Sequence, residues 1–423
     1  MDRKKYTKVF QAVYGDNEVT LNKQFERYEN LTNLFNQKFQ QSAVKYFSTP
    51  GRTEIGGNHT DHNLGRVLAG SVNLDSIAAV SETDDNKVTI YSVGYKGAFF
   101  IDLQDLSMVE EERETTNALI RGIAARFREL GYNIGGFNAY FSSDVLSGSG
   151  LSSSASIEVL IGTIFNHLFN EDKISPQELA IIGQYAENEY FGKPCGLMDQ
   201  VACAMGGIVT IDFEKPAEPV IEKIEFDFTA REYNLLVVNT GGSHADLTGD
   251  YAAVPAEMKA VAKEFGQDVL RGLKKDQLIS RINELRSKTG DRAILRALHY
   301  FGDNSRVLEQ VDALKKGDFT KFLGFVTDSG NSSFKWLQNT YTSKKVDEQG
   351  VSLALALSES YIRSKGAGAC RVHGGGFAGT IQVFLPSEDV EGYRRMMDEI
   401  FGEGSVYVLT IRSIGTTYLA PDS

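Results

Sequence analysis

The stretch Val145-Leu-Ser-Gly148-Ser-Gly150-Leu151-Ser152-Ser153-Ser154-Ala155-Ser-Ile-Glu-Val159 decides how this chain is read. A Gly/Ser loop runs straight into an apolar segment of helical period. Glycines let the backbone turn sharply and leave amide N–H groups uncovered. The helix start adds its own orphan donors and the positive end of its dipole. Together they form a seat for phosphate. No Lys follows the glycines, so this is not a Walker loop, and their spacing is not that of the dinucleotide fingerprint. On these residues alone the competing reading is an ordinary loop before a helix.

Outward from this loop, residues 137–141 read as the strand that feeds it and 152–169 as the helix that leaves it. Further helices are predicted over 1–40, 115–130, 176–190, much of 254–364 and 390–401. Strands are predicted over 43–49, stopping at Pro50-Gly51, over 67–102 with a turn at 82–86, and over 208–213, 235–239, 370–372, 380–385 and 405–411. The segment 214–232, with Lys215-Pro-Ala-Glu-Pro219, reads as a connector. Strands and helices are mixed rather than regularly alternating, which points to an α+β fold in two lobes, 1–213 and 214–423.

Bulk properties set the class. The chain has 423 residues, is 42% hydrophobic and 24% charged, and carries a formal net charge of −12. That is a globular composition with ample length for a core. No basic stripe marks a nucleic-acid footprint, and no apolar run reaches membrane-spanning length. Cys195, Cys203 and Cys370 lie far apart without metal-type spacing. They read as small buried hydrophobes in a reducing compartment. The N-terminus lacks a signal-peptide core. The expectation is a soluble cytoplasmic protein, a monomer, with neither nucleic-acid nor membrane partners.

Three other segments concentrate chemistry. In Pro50-Gly51-Arg52-Thr-Glu54-Ile-Gly56-Gly57-Asn58-His59-Thr60-Asp61-His62-Asn63, a carboxylate such as Asp61 can accept bonds from vicinal hydroxyls while Asn and His fix further oxygens. His59, Asp61 and His62 also allow a metal cluster, although the spacing fits no standard zinc pattern. In Ala186-Glu187-Asn-Glu189-Tyr190-Phe-Gly192-Lys193-Pro194-Cys195-Gly196-Leu197-Met198-Asp199-Gln200, Asp199 sits among apolar neighbours. It needs a cation, a catalytic role or a helix N-cap. In Arg371-Val-His373-Gly374-Gly375-Gly376-Phe377-Ala378-Gly379, the glycines permit close approach of backbone to a ligand, or form a plain hairpin turn.

Taken in this order, the four segments resemble the GHMP small-molecule kinases and, within them, the galactokinases, over roughly residues 45–385. The resemblance implies ATP-dependent phosphorylation of a sugar at its anomeric hydroxyl, with galactose 1-phosphate as product. It implies a ribosomal-S5-like first lobe, a ferredoxin-like second lobe, and a site between them. By matching motif, Asp199 is the candidate base on the C1 hydroxyl and Arg52 its charge-stabilising neighbour. Gly148, Ser149, Gly150, Leu151, Ser152, Ser153 and Ser154 wrap the ATP phosphates. Ser154 and Glu187 are the Mg2+ ligands. Arg52, Asn58, His59, Asp61, Gly196, Asp199 and Tyr251 hold the sugar, with Tyr251 in a sequence that departs from the family's. Phosphoryl transfer is mostly positioning and charge stabilisation, magnesium accepts a few oxygen ligands beside its waters, and a carboxylate beside a cation suits a weak hydroxyl nucleophile.

The chain departs from the galactokinase pattern at several positions. Asn58 stands where the family has a Glu that accepts a bond from the C6 hydroxyl. Asn can also donate, so two readings stay open: acceptance of galacturonate or another C6-variant sugar, and plain bonding of galactose. Glu54 and Gly56 replace an Asn and an apolar residue, read as repacking of the loop. His373 replaces a Thr, read as a possible change in sugar or phosphate contacts. Rival functions are an arabinokinase, an N-acetylgalactosamine kinase, a galacturonokinase, or a sugar sensor without turnover. The sensor relatives lack part of the Ser-Ala pair that Ser154-Ala155 preserves. Residues before Leu31 have no role derivable from sequence.

Overall fold

The computed structural model describes residues 1–41, 44–145, 150–242 and 247–422. Its strands are β1 (Lys45–Gly56), β2 (Arg66–Glu82), β3 (Lys87–Ser92), β4 (Phe99–Asp102), β5 (Phe137–Ser143), β6 (Ile208–Asp212), β7 (Val220–Ile224), β8 (Tyr233–Asn239), β9 (Ala369–Val372), β10 (Thr380–Pro386), β11 (Val406–Leu409) and β12 (Thr417–Tyr418). They form an eight-stranded sheet, ordered β12-β1-β2-β5-β3-β4 with the β6–β7 hairpin also on β2, and a separate four-stranded sheet, ordered β11-β8-β10-β9.

The long strand β2 organises the first sheet. Its first part, Arg66–Gly70, pairs with β6 and its last part, Ser76–Glu82, with β5, while β1 runs along its other edge. Side chains alternate faces along a strand. Ala78 and Val80 therefore face a core under the helices Thr116–Glu129 and Ser153–Phe169, shared with Phe127, Phe137 and Phe165. Ile77 and Ala79 face Phe10, Phe25, Tyr28, Leu31 and Phe35 of the N-terminal helices Thr7–Tyr14 and Glu18–Phe39. The N-terminal segment thus covers one face of the sheet. That is why β2 reads as a nearly continuous apolar run here.

In the second sheet the chain order is strand, helices, two strands, helix, strand, and the spatial order is last-first-third-second. This is the expected ferredoxin-like arrangement. Leu236 and Val238 pack under the helices Gly350–Lys365 and Val390–Phe401. Their neighbours Leu235 and Val237 face the opposite way, into a core that also takes Ile55, Leu68 and Val72 from the first sheet. The two sheets are therefore joined by a continuous apolar layer.

Three expectations need correction. The boundary at 213/214 does not separate the sheets, because β7 hydrogen-bonds to β6 and β12 returns from the end of the chain to β1. The segment 214–232 holds this edge strand as well as a connector. β1 does not stop at Pro50-Gly51. β12 pairs only Phe47 and Ser48, so Pro50 lies where that edge has no strand partner and its missing N–H costs nothing. A bulge between Pro50 and Arg52 then carries the strand on to Gly56. Among the described residues, no helix is long and apolar enough to cross a membrane.

Candidate active site

Arg52 lies on β1, and its guanidinium meets Asp199, at the start of the helix Met198–Met205, through paired bonds of 2.8 and 2.7 Å. Arg52 also donates to the Gly150 carbonyl, and its backbone N–H donates to the Leu151 carbonyl at 3.0 Å. The strand is thus stitched to the phosphate-type loop. Gly150 has φ +72°, and a Cβ there would lie 2.9 Å from the His373 ring, so glycine is required on both counts. Ser152 takes the left-handed conformation before the helix Ser153–Phe169, and its hydroxyl donates to Asp199 rather than capping the helix.

Burial pushes the Asp199 carboxyl upward, but the charge and hydrogen bonds of Arg52, together with the Ser152 hydroxyl, outweigh it and hold the group below the usual aspartate range. The carboxylate stays ionised and partly open to a cavity of about 260 Å³. His59, Asp61 and Gly196 line the same cavity, as do Glu54, Lys193 and the Gly374–Gly375 backbone. A Cβ on Gly196 would sit 2.3 Å from Asp61 Oδ2, so the glycine makes room for that carboxylate. His59 pairs through Nε2 with the Gly375 carbonyl at 3.0 Å. Burial, followed by the neighbouring His62, pushes its imidazole down to about 4, so it is neutral at neutral pH.

A second cavity, of about 370 Å³, opens beside the same helix start. Ser153 and Ser154 lie at its edge, and Tyr95, Phe99, Phe141 and Phe191 give it aromatic walls. Glu187 sits in the π-helical turn Ala186–Phe191, buried, accepting from Gln200 Nε2 at 3.0 Å, with Lys193 Nζ 3.5 Å from its other oxygen. The same Gln200 nitrogen donates to Glu158 at 2.9 Å, one helical turn beyond Ser154, and Glu158 Oε1 is buried without a partner. Hydroxyl and carboxylate oxygens with a spare lone pair are the donor set a small hard cation prefers. Among the described residues, no cluster of three His, Cys, Asp or Glu forms a metal site by itself.

Not every expected residue reaches the cavity. Gly148 and Ser149 lie outside the described residues. Asn58 is fully buried and does not line it. Tyr251 stands behind the glycine turn, donating its hydroxyl to the Gly376 carbonyl at 2.9 Å. His373 is buried between Thr53 and Thr380, 3.0 Å from each hydroxyl, beneath Gly150 and away from the cavity wall. Glu54 and Lys193 were not among the expected site residues. For Glu54 a signal existed, since it is two residues from Arg52 and so on the same strand face.

Two family models match the chain: GHMP kinases N terminal domain over residues 118–207, and the galactokinase galactose-binding signature over 33–82. A galactokinase of Actinobacillus pleuropneumoniae is 31% identical over 373 residues, covering 86% of this chain and 92% of the relative. The chain belongs to the galactokinase family. As a member of the galactokinase family it is an ATP-dependent sugar kinase, and kinases of this kind typically require a divalent metal. Lactococcus lactis galactokinase, solved with galactose, superposes with a TM-score of 0.78 at 26% identity, covering 92% of this chain and 99% of that one. Methanococcus jannaschii mevalonate kinase shares the fold, with a TM-score of 0.61 at 17% identity over 88% of this chain and 99% of its own. The galactokinase signature spans β1 and the turn after it, which place Arg52, Glu54, His59 and Asp61 around the cavity.

Proposed function

We propose that this chain transfers the γ-phosphoryl group of ATP to the anomeric hydroxyl of galactose, giving galactose 1-phosphate. The observation that carries this reading is the Arg52–Asp199 pair, which opens into a sugar-sized cavity and is bonded to the loop ahead of the Ser153–Phe169 helix. The anomeric hydroxyl lies against Asp199. A carboxylate has about four lone-pair sites, so one remains for the hydroxyl proton after Arg52 and Ser152 are served. As the new O–P bond forms, Asp199 takes that proton, and Arg52 offsets the charge developing on the oxygen. The Asp61 carboxylate and His59 Nδ1, whose ring spends its one N–H on the Gly375 carbonyl, accept from the remaining sugar hydroxyls.

The helix start, with Gly150 to Ser154, provides N–H and hydroxyl donors for the ATP phosphates. The aromatic cavity suits the flat adenine base. Mg2+ fits Ser154 and Glu187, and when bound it supplies positive charge to the phosphates. ADP release measured with Mg-ATP across galactose, galacturonate, arabinose, N-acetylgalactosamine and glucose tests the reading. Turnover confined to galactose is the expected result. Preference for another sugar, or binding without turnover, overturns it.

A further inference from the structure

Asn58 has no hydrogen-bonding capacity left for a ligand. Its Nδ2 donates to Glu54 Oε1 at 2.9 Å and to the Gly374 carbonyl at 2.7 Å. Its Oδ1 accepts from Ser333 Oγ at 3.2 Å and from Asn339 Nδ2 at 2.8 Å. Its backbone N–H goes to Asp303 at 2.8 Å, and its carbonyl meets His299 Nε2 at 2.9 Å. An amide offers two donors and two acceptor lone pairs, and here the protein uses all four.

Glu54 is the reverse case. Its Oε1 takes both the Asn58 amide and the Arg371 guanidinium, the latter at 2.7 Å. Among the described residues nothing bonds Oε2, and that oxygen is not one of the sealed atoms left without a partner, while Glu54 lines the cavity. Arg52 and Glu54 pair with Ser71 and Ala69 in an unbulged part of the ladder. Both therefore point to one face, roughly 6.5–7 Å apart along the strand. That spacing matches the breadth of a pyranose ring lying between the transferred hydroxyl and those on its far side.

We propose that Glu54, not Asn58, reads a sugar hydroxyl remote from the transferred one, and that Asn58 is the positioning residue that aims it. The inference rests on the sugar-kinase reading above. It also reverses the expectation attached to Asn58. The group facing the sugar is an acceptor-only carboxylate whose cation, Arg371, is engaged on the other oxygen. A sugar hydroxyl has a proton to give it. A sugar carboxylate has none and brings a like charge, so galacturonate is disfavoured.

Glu54→Gln is the decisive variant. The new amide oxygen can keep the bonds from Asn58 and Arg371, which turns its NH2 toward the cavity and replaces an acceptor by a donor. The expected result is a galactose KM raised about ten- to a hundredfold, with the KM for ATP unchanged and kcat much less affected. Among the 2-, 3-, 4- and 6-deoxygalactoses, one should show equal KM in wild type and variant, and that one names the hydroxyl. Relative turnover of galacturonate should rise. Asn58→Ala should raise the galactose KM by a smaller factor with the same deoxy-sugar signature, which a loss of packing alone would not produce. Wild-type turnover of galactose with an unchanged KM in Glu54→Gln overturns this inference alone. Wild-type turnover of no sugar in the series overturns it together with the kinase reading.

Discussion

Asp199 meets the cavity with one oxygen bonded to Arg52 and the other to both Arg52 and Ser152. Replacing it by Asn removes the proton acceptor but keeps the size, so kcat should fall by about 10²–10⁴ or more while galactose still binds. Single-turnover kinetics beside calorimetric titration separates the two. Because Arg52 holds the carboxyl below the ordinary aspartate range, the group stays ionised through neutral and mildly acidic pH. The wild-type kcat/KM for galactose should show no limb from Asp199 above about pH 4. Lysine lacks the two-pronged fork that grips Asp199, so Arg52→Lys should shift that limb to higher pH, as a full pH–rate profile would show. Gly196→Ala forces a methyl against Asp61. The expected outcome is a higher galactose KM at nearly constant kcat, read from initial rates at saturating ATP.

At the scale of elements, the N-terminal helices form one wall of the first sheet. Phe10 stacks on Phe25 with ring centres 4.3 Å apart, and Phe10 is fully buried. Phe10→Ala should therefore cost about 3–5 kcal/mol, seen as a lower urea midpoint with an unaltered galactose KM in the folded fraction. Nothing in residues 1–40 could show this role, because the partner surface, Tyr46, Ile77 and Ala79, belongs to other strands. Elements with a strong local pattern were legible, such as the helix Val390–Phe401, whose predicted limits match the structure. β7 was not, because it is an edge strand with Val220 largely exposed and little burial rhythm to read. Pro50 misled for a related reason, since whether its missing N–H matters depends on how far β12 extends. In the site, motif order identified Arg52, Asp61 and Asp199 as cavity residues, but the exchange of roles between Asn58 and Glu54 was invisible. It depends on Arg371, Ser333 and Asn339, residues hundreds of positions away.

Across the whole molecule, the buried Asp75 ties distant parts of the chain together. It accepts from Arg27 of the second N-terminal helix, from Tyr14 at 2.7 Å, from Ser48 on β1, and from Arg412 near the C-terminus at 3.1 Å. Burial pushes its carboxyl up, but the charges of Arg27 and Arg412 hold it below the usual value. A carboxylate with its folded pKa depressed contributes stability that is complete above the unfolded value, about 3.9, and is lost as the pH falls through the folded one. Arg412→Gln should destabilise the protein by about 3–5 kcal/mol and move the acid-unfolding midpoint upward, both measurable by denaturation at a series of pH values. The position of Arg412 has a consequence for biosynthesis. Arg412 and β12 leave the ribosome hundreds of residues after the first strand of the lobe to which both belong. Until they arrive, Asp75 lacks one of its two cations and Phe47 and Ser48 lack their strand partners. The nascent first lobe cannot close until Arg412 and β12 have been made, and a chain cut short before Arg412 would lose both the second cation of Asp75 and the strand that pairs with Phe47 and Ser48.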